Sequence, residues 1–203
     1  MDTTTAVLAV LLGLGLSAST GLNTFIPLLL LSAAARFNIA SVELGTKFDW
    51  LSSDIGLTVL IVASIAEIVA DKVPAVDHFL DSVGTFIRPA AATIASAAVL
   101  TGANVDPTVA AVVGFVVGTP TALAFHTAKA GTRVASSATT LGCANPVLSL
   151  VEDIFSAAFT VLAMFLPLVV PFVLAIVVWL LWRTWKRTRG SAAAPAGFVP
   201  PTS

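Results

Sequence analysis

The chain has 203 residues, 57% of them hydrophobic and only 10% charged, where a soluble domain carries about a quarter charged residues. That balance excludes an ordinary soluble protein and assigns the chain to lipid. A net charge of −1 without a basic, aromatic-interleaved patch excludes nucleic acid as a partner, and the single Cys143 excludes an internal disulfide or a thiolate metal site.

The start, Met1-Asp2-Thr3-Thr4-Thr5, has no positive n-region, so the first apolar helix is expected to be retained rather than cleaved. The first apolar run extends from Ala6 to Ala35, well beyond the roughly twenty residues that cross hydrocarbon. It must tilt, kink or break near Gly21–Pro27, because proline removes a helix hydrogen bond. Gly13, Ser17, Thr20, Gly21 and Thr24 share a face that suits close helix packing or, alternatively, a binding surface. Residues 37–50 read as a polar loop with Trp50 as an interfacial anchor.

A second span follows from Leu51 to Val73, ended by Pro74. From Val76 to Arg88 the residues Asp77, Asp81, Gly84 and Arg88 make one polar face opposite Phe79, Leu80 and Val83. This piece is too short to span, so an interfacial or re-entrant helix is expected, with Pro89 opening a short alanine-rich span to Gly102. Asp106-Pro107 reads as a helix start, aspartate capping and proline at the first position.

The span from Thr108 to Thr140 carries His126, Lys129 and Arg133 at i, i+3 and i+7, a sector roughly 60° wide at about 100° per residue. Gly142 to Pro146 makes a turn, with Asn145 expected to cap the helix from Pro146 to Leu166. Pro167 and Pro171 lead into a last helix ending near Trp185, through either a hairpin or a kink. The stretch from Pro146 to Arg189 would be about 60 Å long as helix, which favours two crossings. The tail, residues 190–203, reads as disordered from its Pro, Ala, Gly and Ser content.

The expected architecture is therefore all-α, a polytopic transmembrane bundle of about six spans in one domain over residues 1–189. A weak inverted repeat, 6–102 against 108–188, fits the two halves loosely. The basic cluster Arg183, Lys186, Arg187 and Arg189 places the C-terminus in the cytoplasm of a bacterial inner membrane. In that orientation all the intramembrane charges approach the inner leaflet.

Those charges carry the functional expectation, since an ionisable residue inside a span costs about 2.5–3.5 kcal/mol on insertion scales. Glu67 and Asp71, Asp77 and Asp81, and Glu152 and Asp153 are acid pairs able to share a proton or hold a hard cation. Lys129 and Arg133 can bind a phosphate or carboxylate, or snorkel to the surface, and His126 adds a titratable nitrogen. These six acids outnumber Lys72, Arg88, Lys129 and Arg133 by two, which leaves room for a cation or proton.

Three readings stay open. One is transport of an ion or small anionic solute, coupled to protons or cations. Another is a divalent-metal enzyme acting on a lipid phosphate. The last is a structural or lipid-binding protein locked by ion pairs. No P-loop, HExxH, GxSxG or CxxC pattern supports catalysis, and no cofactor is required. Besides the bilayer, a second copy of the chain is a partner that the small-residue faces would admit.

Gly21-Leu22-Asn23 with Pro27, Glu67 with Asp71-Lys72, Pro74 and Asp77, Arg88-Pro89, His126 with Lys129 and Arg133, and Asn145-Pro146 with Ser149, Glu152 and Asp153 form a combination. Over roughly residues 10–170 it resembles a bacterial membrane family, domain of unknown function 4126. The resemblance implies a small polytopic membrane protein and no settled activity.

Overall fold

The computed structural model describes residues 3–191, apart from the side chains at positions 74, 75, 77, 78, 181, 184, 185 and 187–191. The tail from residue 192 and the side chain of Asp77 therefore lie outside the described residues. The described chain is all-α: α1 (Thr3–Leu22), α2 (Phe25–Arg36), α3 (Asp54–Ala70), α4 (Pro74–Gly102), α5 (Pro107–Val113), α6 (Thr119–Thr140), α7 (Asn145–Phe165) and α8 (Val170–Ser191). Short 3₁₀ turns lie at Ile39–Ser41, Thr46–Ser52 and Pro167–Val169.

Four helical stretches are long and apolar enough to cross a membrane: α1, Phe79–Gly102, Pro107–Thr140 and α7. A fifth appears if the Thr46–Ser52 turn and α3, bent by 59°, count as one span. Phe25–Arg36 and Pro167–Leu180 are shorter apolar helices. The protein is thus a multi-pass membrane bundle, with four or five stretches long enough to cross among the described residues. The long first run supplies one of them, α1, and after a break at Asn23–Thr24 continues as the 12-residue α2.

The expected interfacial helix after the second span is not a separate element. Residues 76–88 belong to α4, which continues through Pro89 for 29 residues. A proline inside a membrane helix is tolerated where neighbours satisfy the freed backbone. Here Arg88, the residue before it, is buried and bonded to α1 and α6, which holds the helix on course. Asp106 starts α5 as expected, its Oδ1 accepting from the amides of Thr108 (2.9 Å) and Val109 (3.2 Å). A π-helical turn at Gly114–Gly118 joins α5 to α6.

The first unit, residues 3–170, is built around α1, whose neighbours are α4, α6 and α7. Small residues permit this. A Cβ on Gly13 would sit 3.2 Å from Ser96, and one on Gly15 2.5 Å from Ala163. Ser17 Oγ meets Ser96 Oγ at 2.9 Å. The small-residue stripe thus serves packing along most of its length, with Thr24 diverted to the site described below. Apolar packing centres on Leu16, Leu28, Leu31, Leu51, Leu60 and Val99.

Polarity runs inside-out. In α7 the buried face carries Ser149, Asp153, Ser156 and Thr160, whereas Leu150, Ile154, Phe155 and Val161 are exposed. In α3, Ile55, Val59, Val62, Ile65 and Val69 are exposed while Ser64 and Glu67 are buried. Lipid accepts the outer residues, and inside, Glu67, Asp153, Ser156 and Thr160 each make at least one hydrogen bond.

The second unit is the remainder of α8, from Pro171. Two of its cations lie over indoles of the same helix one turn back, Arg183 5.1 Å from Trp179 and Lys186 5.3 Å from Trp182. Such pairs suit a helix end at the headgroup level.

Candidate functional site

A broken helix leaves amides without partners at one end and carbonyls at the other. Inside a membrane both must be satisfied by side chains. The α1–α2 break at Asn23–Thr24 is such a place, and charged residues from three other helices supply the partners.

At the α2 side, Glu67 of α3 takes the free amides. Thr24 N donates to both carboxylate oxygens at 3.0 Å, Phe25 N to Oε2 at 3.1 Å, and Thr24 Oγ1 to Oε1 at 2.8 Å. Asn23 Oδ1 accepts from Phe25 N and Ile26 N, completing the cap. An anion at a helix N-terminus is favoured by the helix dipole as well as by the bonds.

At the α1 side the signs reverse. Arg88 Nη1 of α4 donates to the Gly21 carbonyl at 2.9 Å, and Lys129 Nζ of α6 donates to the Leu22 carbonyl at 2.9 Å. Close approach of α6 needs Gly21, because a Cβ there would lie 2.4 Å from the Ala122 carbonyl oxygen.

Around the break the remaining charges close a network. Lys129 Nζ reaches Asp71 Oδ2 at 3.0 Å and Glu152 Oε2 at 3.3 Å, and Arg133 Nη2 reaches the same oxygens at 3.2 Å and 2.9 Å. Arg88 Nη2 lies 3.7 Å from Glu67 Oε1 and 4.0 Å from Asp81 Oδ1. Asp153 Oδ1 accepts from Asn23 Nδ2 at 2.8 Å, and its Oδ2 is 3.9 Å from Lys72 Nζ.

His126 Nδ1 lies 2.8 Å from Arg88 Nη1 and its Nε2 3.3 Å from Thr85 Oγ1. A guanidinium can only donate, so Nδ1 accepts and the ring proton sits on Nε2, directed at Thr85. His126 is therefore neutral in this arrangement and extends the network as a relay of hydrogen bonds.

The structure thus gathers Glu67, Asp71, Asp81, Arg88, His126, Lys129, Arg133, Glu152 and Asp153 around one break. Asn145 does not act as the expected cap. It is itself the first residue of α7, and its Nδ2 donates to Ser137 Oγ at 3.1 Å, tying α7 to the last turns of α6. Reading single helices missed Asn23 and Thr24 as members of the site. The signal was present as two polar residues between Leu22 and Phe25 in a run too long for one span.

Beside Glu67 lies a largely apolar cavity of about 330 Å³ between α2, α3 and α4, bordered by Thr24, Phe25, Ala66, Leu80 and Gly84. Among the described residues no three His, Cys, Asp or Glu side chains come together as a metal-holding group. The carboxylates instead point at ammonium and guanidinium groups, or at main-chain amides.

No curated protein and no solved structure matches the chain. One family model does match, described as a domain of unknown function (DUF4126), and it covers residues 10–187. Spanning every residue of the network and the break it surrounds, that match shows that the chain belongs to the DUF4126 family.

Proposed function

We propose that this protein is a small transporter or channel of the bacterial cytoplasmic membrane. It would move a proton, an ion or a small anionic solute, with the α1–α2 break as its responsive element. The basic end of α8, with Arg183 and Lys186, would lie on the cytoplasmic side.

The observation that carries the reading is the double capping of the break. Glu67 sits on the amide end, while Arg88 and Lys129 sit on the carbonyl end. Discontinuous membrane helices in transporters use their ends in this way, presenting amides to anions and carbonyls to cations. Economy supports it too. Replacing a buried ion-pair cluster by apolar side chains is often neutral or stabilising, so holding helices together is weak reason to keep one.

A second reading, a protein whose charges only lock its helices, is favoured by one feature: acids and bases touch directly. A metal-dependent enzyme has no comparable support, given the absence of a metal-holding group among the described residues.

The test is reconstitution of the full chain in vesicles containing a pH-sensitive dye. Imposed proton gradients are applied with potassium, inorganic phosphate or acetate as the accompanying ion. Transport predicts that gradients dissipate faster than in protein-free vesicles, with dependence on one of these ions. Helix locking predicts identical traces with and without protein.

A further inference from the structure

The network does not balance. Among the described residues Arg88, Lys129 and Arg133 are its buried cations, whereas Glu67, Asp71, Glu152 and Asp153 are its carboxylates. At the rim Asp81 faces Arg88 and Lys72 faces Asp153, adding one charge of each sign. Among the described side chains one carboxylate remains in excess.

Geometry identifies which. Asp71 and Glu152 each contact both Lys129 and Arg133 at 3.3 Å or less. Glu67 is held by two amides, a hydroxyl and Arg88. Asp153 has a single hydrogen bond, from the neutral Asn23. Its Oδ2 is buried and has no hydrogen-bond partner. Among the described residues the charges facing it are Lys72 beyond the end of α3, Lys129 from α6 and Asp71, and the last two are bonded to each other. Lys72 is 38% exposed, 3.9 Å away, and donates to the Ile68 carbonyl. One turn earlier on the same face of α7, Ser149 Oγ is also buried without a partner.

We infer that Asp153 is a proton-binding site, carrying the one neutral carboxyl of the cluster. Buried charge without a close counter-charge is removed by neutralisation. A hydronium ion of the bulk water gives up one O–H bond, its proton bonds to Oδ2, a water molecule is left, and the excess charge vanishes. A proton also needs no cavity, which suits a residue packed between α7 and the break. That this proton is the one moved across the membrane rests on the transport reading, whereas the protonation of Asp153 does not.

Infrared spectroscopy of the full chain in lipid vesicles at neutral pH tests it. The expected result is a protonated-carboxyl band that shifts in heavy water, shifts again when aspartate is carbon-13 labelled, and is missing in Asp153→Asn. Asp106→Asn, at a carboxyl outside the network, should leave it in place. A wild-type spectrum without an aspartate-sensitive carboxyl band would overturn the assignment, and this needs no variant to fold. So would a band that survives in folded Asp153→Asn. The spectrum requires no flux, so transport can fail in vesicles while protonation stands, and the reverse outcome is equally legible.

Discussion

Lys129 Nζ and Asp71 Oδ2 lie 3.0 Å apart with 0% and 1% of their side chains exposed, which makes them the most enclosed ion pair described in this bundle. They join the end of α3 to the middle of α6 beside the helix break. Removing one partner leaves the other buried with a single ion pair, Asp71 with Arg133 or Lys129 with Glu152, a loss of up to about 3–5 kcal/mol. Lys129→Met and Asp71→Asn should each approach that loss in detergent-solubilised unfolding measurements. The double variant should lose clearly less than the sum, because only the first substitution strands a charge. Additive losses would show that the pair is not coupled.

Glu67→Gln removes an acceptor from the start of α2. The amide keeps the volume but presents donors where Thr24 and Phe25 already donate. Hydrogen bonds to a charged group contribute about 1.5–3 kcal/mol. Faster hydrogen–deuterium exchange is expected at Thr24 and Phe25, with α1 unaffected toward its N-terminal end. Unchanged exchange at both amides would remove Glu67 from the cap.

How much of this was legible beforehand depends on whether a feature is local. Helix identity followed from apolar length, and the Asp106-Pro107 start followed from local capping chemistry. The convergence of charges from different spans followed from spacing plus an orientation argument. What escaped were features decided between helices. Pro89 read as a boundary because nothing in the local pattern showed that Arg88 would be anchored to Gly21 and His126. Asn145 read as a cap because its neighbour Ser137 lies eight residues back, across a turn. Thr24 read as part of a packing stripe or a binding surface, since one-helix periodicity cannot show that a carboxylate 43 residues away occupies the exposed amides.

The glycines of α6 and α1 should respond in opposite senses. A Cβ at Gly21 meets the Ala122 carbonyl oxygen at 2.4 Å and Phe125 at 2.6 Å, whereas Gly131 has nothing within 4 Å. Gly21→Ala should cost about 1–3 kcal/mol through overpacking. Gly131→Ala should stabilise α6 by up to about 1 kcal/mol through helix propensity alone. Melting temperatures of the two variants in the same detergent decide the point.

Asp106 supplies a pH dependence outside the spans. Bonds from the Val109 and Thr108 amides hold its carboxyl below the ordinary value of 3.8. A depressed folded value means that the cap's contribution is complete above the unfolded value and is lost as pH falls through the folded one. Protection of the Thr108 and Val109 amides should therefore persist at neutral pH and fade only in acid below 3.8. In Asp106→Ala it should be low throughout. Protection independent of both pH and the carboxylate would contradict the cap.

The central claim is that the charges at the α1–α2 break do more than hold helices together. Lys129→Arg separates the two roles. It preserves charge but replaces a compact ammonium, which serves the Leu22 carbonyl, Asp71 and Glu152 at once, with a planar fork. Gradient dissipation and melting temperature are measured on the same vesicle preparation. The account predicts that dissipation falls to the protein-free rate while melting stays within a few degrees of wild type. Dissipation equal to wild type with melting unchanged, or no dissipation by the wild-type protein at all, would contradict it.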